Sequence, residues 1–369
     1  MCVLQAADAA DQRGFNQTDQ QCAFCYKRQA DSSSRFLHCA RCGKRMLCSR
    51  ECQRADWKAG HKIWCGKSGE LGHDFTIRES AGKGMGLFAL HTFHRNEAVM
   101  VERPIARLCY NDTLTDALLQ PALAELSESE LAAFRRLAPV GGTDVQKRNK
   151  NAFALREKVD RGMSAIFINM SRANHDCIGN CSRRYDEEQG LRCMRASRTI
   201  SAGDEITLSY TPLYSEHTLN FARSIEARQS YLQDNHGFAC GCKACTDPDI
   251  TQKVQQVGEL FERVKHLTHV MQLDAALRAG QENVRLLDEL QIDDGMVAFA
   301  YSDLFQIAIL RRKTVADAKR HAAQVATRAA AFYGESDEMA VEHRKYAECP
   351  SAYFAYCMAD KMQRSGFAR

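Results

Sequence analysis

The sequence predicts an α+β protein in which bound metal stands in for part of the core. Three observations predict it. Cysteine and histidine pairs crowd residues 22–65, and a Cys-x-Cys-x2-Cys triplet follows at 240–245. Short β-rich runs separated by glycine turns fill 73–110 and return near 191–210. Beyond Cys245 the apolar residues recur at helical spacing.

The chain has 369 residues, enough for two or three domains. Its 45% hydrophobic and 26% charged residues are ordinary for a globular protein. A net charge of +4 is too small to imply nucleic-acid binding by itself. No run approaches the roughly 18 consecutive apolar residues of a membrane span. Met1 to Gln21 shows no basic segment followed by an apolar run, so no secretory signal is expected. Seventeen cysteines would make a disulfide framework in a secreted chain. Here their spacings repeat metal-ligand patterns, which favours zinc in a reducing, intracellular setting. The expectation is a cytoplasmic or nuclear monomer without membrane contact.

Residues 1–20 read as a flexible tail and 21–66 as a metal-rich finger. Gly66, Ser68, Gly69 and Gly72 form a linker. "HDFTIRES", "GLFAL" and "EAVMVERPIARLC" read as strands, with "AGKGMG" and "HRNE" as turns. Residues 113–160 read as helical, and Ser127 with Glu130 makes a capping box ahead of "LAAFRRLA". Strands return at "LRCMRAS" and "EITLSY". In the last third, Val254, Val257, Leu260, Phe261, Val264, Leu267 and Met271 fall three or four apart. "MVAFAYSDLFQIAIL" is apolar nearly all round and reads as a buried helix, and Gly334 reads as the C-cap of the next. The paired helices suggest a tetratricopeptide-like layer over 247–369, although no fixed repeat period is visible.

The finger contains Cys22-x2-Cys25, Cys39-x2-Cys42, Cys48-x3-Cys52 and His61-x3-Cys65. Seven thiols and one imidazole suffice for two tetrahedral zinc sites. So short a segment has little core, so two metals would supply most of its folding energy. The spacing resembles the MYND zinc finger along its whole length. The resemblance implies interleaved sites: Cys22 and Cys25 with Cys48 and Cys52, Cys39 and Cys42 with His61 and Cys65. It also implies proline-rich peptides as partners of the finger. His38 breaks the pair pattern and reads as a surface residue. Ten Lys or Arg against three Asp or Glu leave a nucleic-acid role open. A charge run is more often a solvated face, and Phe24, Tyr26, Trp57 and Trp64 are more often core in so small a finger.

Cys240, Cys242 and Cys245 make an incomplete site, and Cys177 is the best candidate for its fourth ligand. The clip would tie two distant loops together. The chain now resembles SET-domain protein lysine methyltransferases of the kind that combine SET with MYND. Four motifs carry this in the family's order: "GKGMGLFAL" (82–90), "NHDC" (174–177), "GDEITLSY" (203–210) and the triplet at 240–245. The resemblance spans roughly 73–246. It implies S-adenosylmethionine and three zinc ions as cofactors, and a protein bearing a target lysine as substrate. Lys83, Gly84, Met85 and Gly86 would line the methionine end of the cofactor. Asn174 and His175 would hold it, and Phe238 would stand beside it and the lysine channel. Tyr210 would align the reacting amine and so act catalytically. The implied domains are a SET domain at 73–214 with a helical insertion at 106–160, a post-SET zinc segment at 215–246, and the helical C-terminal domain. Without context, a lone GxG is a turn, a lone histidine is core and a tyrosine ending a strand is packing.

Three features depart from the family pattern. Asp176 stands where Ser is usual, Gly179 where Pro is usual, and the finger precedes the SET motifs instead of interrupting them. The first two favour an alternative of another class, a catalytically weak or silent scaffold that binds partner peptides. Retention of Asn174, His175, Tyr210 and the four post-SET cysteines favours the enzyme. Cys2, Cys109, Cys181, Cys193, Cys349 and Cys357 remain as core or surface thiols.

Overall fold

A computed structural model describes residues 20–109, 116–155, 163–211, 214–215, 218–219, 222–311 and 315–356. Residues 1–19 of the expected tail, Cys2, Cys357, and the insertion segments 110–115 and 156–162 lie outside the described residues. The chain divides into two compact units, Met1–His175 with Asn180–Leu208, and Asp176–Gly179 with Ser209–Arg369.

In the first unit the finger begins with strands β1 (Leu37–His38) and β2 (Met46–Leu47), paired antiparallel. Helix α1 (Arg50–Asp56) follows, with the Ser49 side chain accepting the Cys52 N–H. A wide helical turn at Trp57–His61 leads into α2 (Lys62–Trp64). The finger's apolar centre is small: Cys22, Phe36 and Leu47 are its buried members. Metal must therefore do what hydrophobic burial does elsewhere. His38 is exposed, as expected.

Strands β3 (Phe75–Ser80) and β4 (Gly84–Ala89) form the hairpin that the alternating runs predict. Strands β5 (Ala98–Glu102) and β6 (Ala106–Cys109) come next. The insertion holds α3 (Asp116–Ala124), α4 (Glu128–Arg135) and α5 (Asp144–Asn151). The Ser127–Glu130 box is present at α4, and Thr143 with Gln146 makes a second one at α5. The insertion is not helical throughout. Ala152–Ala154 (β7) is extended and pairs with β8 (Met163–Ile166), whose other edge pairs with β6. An available sheet edge overrides local helix propensity here. Strands β9 (Asn174–His175), β10 (Cys181–Asp186), β11 (Leu191–Ala196) and β12 (Glu205–Leu208) complete the unit. The sheets run β3-β4-β12-β9, β10-β11-β5 and β6-β8-β7. Phe75, Leu87, Phe93, Phe167, Met194 and Ile206 centre the core between them.

In the second unit, Tyr214–Ser215 (β13) and Thr218–Leu219 (β14) pair as a short ribbon. Helix α6 (Ile225–His236) ends on Gly237 at φ 78, and α7 is Lys243–Thr246. Then come α8 (Pro248–His269), α9 (Leu273–Glu289), α10 (Asp294–Ile309), α11 (Val315–Tyr333) and α12 (Glu338–Glu348), each packed on the next. Val254, Val257, Val264 and Leu267 are buried, whereas Met271 lies past the end of α8. Helix α10 is buried along most of its length, and Gly334 caps α11 at φ 104.

Burial pushes the Asp303 carboxyl, on α10, up to about 6, with Lys265 pulling the other way. The folded state thus holds this proton more tightly than the unfolded chain. Its contribution to stability is present below the usual carboxylate range and is lost as pH rises through about 6. Asp303→Asn is expected to stabilise the protein by about 1–3 kcal/mol at neutral pH, with the difference closing near pH 4. Urea unfolding at both pH values measures it.

Candidate active site and metal centres

The twelve predicted metal ligands fall into three groups of four. They are Cys22, Cys25, Cys48 and Cys52; Cys39, Cys42, His61 and Cys65; and Cys177, Cys240, Cys242 and Cys245. Within each group the ligand atoms all lie within 4.8 Å of one another. The Sγ atoms of Cys25 and Cys48 are 3.6 Å apart, those of Cys39 and Cys65 3.9 Å, and those of Cys177 and Cys245 3.6 Å. A disulfide needs about 2.05 Å. A tetrahedron with Zn–S bonds of 2.3 Å has edges of about 3.8 Å. The groups therefore fit zinc, and three groups fit three ions.

Residues around the ligands fix their charge and aim. His61 Nε2 lies 3.4 Å from Cys39 Sγ and 3.7 Å from Cys42 Sγ, so this nitrogen faces the metal position. Nδ1 faces Glu70 Oε1 at 4.0 Å, a carboxylate behind a ligand imidazole. Glu70 is buried, and its Oε2 accepts from Arg45, which also grips Asp56 at 2.8 Å. At the third group, buried Arg228 donates to Ala244 O at 2.7 Å and lies 3.8 Å from Cys245 Sγ. It brings positive charge to a four-thiolate site. Gln229 fixes Cys240 through two 2.7 Å bonds, one to its carbonyl and one from its N–H. Hydrogen bonds from the neighbouring Cys177 and Cys240 thiols hold the Cys242 thiol below the usual thiol range.

The cofactor candidates of the first unit converge on strand β12. Its residues Thr207 and Leu208 pair in parallel with Asn174 and His175, and Glu205 and Ile206 pair with Phe88 and Leu87 of β4. Glu205 accepts from Asn174 Nδ2 at 2.8 Å and from Lys83 Nζ at 3.0 Å. Burial alone would raise the Glu205 carboxyl, but bonds from Asn174, Lys83 and Ser80 outweigh it and hold it low. A Cβ at Gly86 would come within 2.7 Å of Glu205 Oε1 and 2.9 Å of Asn174 Nδ2. Gly84 has φ +77 and open space where its Cβ would be. Met85 is exposed, while Asn174 and His175 are buried.

The second unit holds Tyr210 and Phe238. Strand β12 stops at Leu208, so Tyr210 lies two residues beyond the ladder instead of ending it. The rings of Tyr210 and Phe238 meet edge to face at 6.3 Å. His236 stands 4.9 Å from Tyr210 and 6.3 Å from Phe238, completing an aromatic cluster. Asp176 Oδ1 accepts the Ile178 N–H at 2.9 Å, so this carboxylate shapes its own turn before the third metal group. Glu70, Glu205, Arg228 and His236 were not singled out as site residues in the sequence. The available signals were the Glu of "GDEITLSY" and a histidine two residues before Phe238.

These features define a SET domain accompanied by a MYND finger, and family models agree. The SET domain model matches residues 84–211 and the MYND finger model residues 22–65. The chain thus carries a SET domain and a MYND finger, the two domains matched by these models, and it is similar to lysine methyltransferases. It is 24% identical over 282 residues to "Histone-lysine N-methyltransferase set5" of Schizosaccharomyces pombe, covering 73% of this chain and 82% of that protein. It is 27% identical over 267 residues to "N-lysine methyltransferase SMYD2" of Mus musculus, covering 70% of this chain and 56% of the relative. It is 30% identical over 100 residues to "Protein-lysine N-trimethyltransferase SMYD5" of Gallus gallus, covering 26% and 23%. The chain thus spans most of the fission yeast relative but little more than half of the mouse one.

Elemental analysis tests the third group. Cys177→Ser is expected to lower the zinc content from three ions per chain to two. Glu70→Gln is expected to keep three ions but release one about tenfold faster to a chromogenic chelator, because the ligand histidine loses its carboxylate support.

Proposed function

We propose that the chain is an S-adenosylmethionine-dependent protein-lysine N-methyltransferase acting on histone or non-histone lysines. The observation that carries this reading is the clasp around Glu205. With Asn174 Nδ2 and Lys83 Nζ both given to one carboxylate, the Asn174 amide is locked in one orientation. The bare backbone at Gly84, with open space beside it, is a place where a ligand can approach closely. These residues fit the cofactor. Bound there, S-adenosylmethionine supplies an electrophilic methyl on a sulfonium.

The chain's own residues have four tasks in this reading. Gly84, Met85 and Gly86 present backbone to the cofactor. Lys83, whose ammonium keeps donors beyond the one used on Glu205, meets an anionic group of the methionine end. Asn174 and His175 hold the cofactor from β9. Tyr210 orients the lysine nitrogen, and Phe238 with Tyr210 forms an aromatic wall that admits an alkyl chain and excludes water. The lysine ammonium gives its proton to solvent before transfer. The SET domain is assigned to 73–214, with 215–246 as the post-SET segment.

The finger is assigned a peptide-binding role. Arg41, Leu47, Arg54, Trp57 and Lys58 help line a hollow of ≈ 340 Å³ beside the second zinc group. An aromatic in such a hollow suits a proline-rich segment. No helix among the described residues is long and apolar enough to cross a membrane. A nuclear or cytoplasmic monomer fits this assignment.

Calorimetric titration of S-adenosylmethionine into zinc-loaded protein tests the reading. Wild type is expected to bind at micromolar concentration. Asn174→Ala and Gly86→Ala are expected to weaken binding at least about tenfold, the second because its Cβ forces Glu205 and Asn174 apart. Tyr210→Phe is expected to bind the cofactor nearly as wild type yet lose methyl transfer. A folded wild type holding three zinc ions and binding no cofactor would leave a peptide-binding scaffold instead.

A further inference from the structure

Tyr26 follows Cys25 directly in the first zinc knuckle, and its backbone is left-handed at φ 61. A tyrosine there is strained, because its Cβ crowds the backbone carbonyl. The strained backbone delivers a side chain that is 1% exposed. Its Oη donates to Glu102 Oε1 at 3.1 Å. Glu102 ends β5 and is itself buried. Its carboxylate also accepts two backbone N–H groups, Asn169 at 2.8 Å and Met170 at 2.9 Å. On the same turn, Asn169 Oδ1 accepts from Gln21 Nε2 at 2.5 Å. Gln21 immediately precedes the first zinc ligand, Cys22.

Asn169 and Met170 open the single helical turn Met170–Arg172, which leads through Ala173 into Asn174–His175. One buried carboxylate therefore holds the finger's first knuckle and the turn that delivers the cofactor strand. A buried carboxylate needs all of its partners, since each lost bond leaves charge uncompensated. Glu102 lies 76 residues from Tyr26 and 68 from Met170.

We propose that Tyr26 and Glu102 are positioning residues for cofactor binding, tying the finger's first zinc knuckle to the turn that places Asn174. The finger is then part of the cofactor site's framework as well as a docking module. This rests on the cofactor role proposed for Asn174.

Hydrogen exchange and calorimetry on the zinc-loaded full chain test it together. In Tyr26→Phe, which removes one hydroxyl, peptides spanning 167–176 are expected to exchange about tenfold faster. S-adenosylmethionine should bind about fivefold or more weakly, and KM for the cofactor should rise with kcat little changed. Adding Tyr26→Phe to Glu102→Gln should cost little more than Glu102→Gln alone, since Tyr26 acts through that carboxylate. Phe305→Leu, in the core of the other unit, should lower thermal stability while moving neither readout. Where Tyr26→Phe fails to load three zinc ions, Glu102→Gln, which lies outside the finger, carries the same test. Exchange over 167–176 and cofactor affinity both within twofold of wild type would overturn the proposal. If wild type binds no cofactor, the functional reading fails, and unchanged exchange over 167–176 still overturns the tie on its own.

Discussion

Strand β12 is paired on both edges, antiparallel with β4 and parallel with β9, and the candidate cofactor site depends on that double pairing. Parallel neighbours cannot be joined by a tight turn, so the chain must leave after His175 and return at Glu205. The excursion supplies β10 and β11, which make their own sheet with β5. Three segments far apart in the chain thereby meet at Glu205: the glycine strand, the Asn-His pair and the "GDEITLSY" strand. Removing the carboxylate would leave Asn174 Nδ2 and Lys83 Nζ without the acceptor that orients them.

Metal coordination governs the parts that the apolar core does not reach. The finger centres on three buried side chains, too few to order a segment of its length. The third group does similar work in the second unit, where Cys177 closes a site whose other ligands lie more than sixty residues on. Arg228 and Gln229, one turn into α6, bind the ligand loop directly, so helix and metal order each other. Asp176 fits this economy. Its side chain satisfies the N–H of Ile178 at the turn that presents Cys177.

The metal ligands were legible in the sequence because their spacing is local. A pair two or three residues apart announces itself, and even Cys177 followed from counting a triplet that needs a fourth ligand. The strands of the hairpin, the capping box at Ser127 and the buried helix α10 were legible for the same reason, since each is a short-range pattern. The groups that support the site were not. Tyr26 and Glu102, His61 and Glu70, and Asn174 and Glu205 are each coupled across turns and sheets. No periodicity in the chain marks a buried carboxylate as partner to a distant amide. The strand Ala152–Ala154 carries no local signal either, because it is extended by the edge of β8 and not by its own propensity. The pattern of "EITLSY" puts Tyr210 at the end of a strand, yet the ladder stops at Leu208.

The finger's place ahead of the SET motifs is reconciled with the fold by how it is held. Beyond the linker, it is held to the rest of the first unit by side-chain contacts. Arg45 joins Asp56 of the finger to Glu70, and Lys44 reaches Asp74 at 2.9 Å. Arg103 lies over the Phe24 ring at 4.3 Å and pairs with Glu130 at 2.6 Å, while Tyr26 reaches Glu102. Trp64 packs against Ala98, Val101, Leu191 and Cys193. Replaced by apolar residues of equal shape, buried ion pairs of this kind add little net stability, but each is costly to break. They specify one docking geometry more than they strengthen it. A finger held by such contacts depends little on where the chain enters it. Its zinc ligands set the shape of the knuckle, the knuckle sets the reach of Tyr26, and the carboxylate at Glu102 carries that constraint to the turn before Asn174.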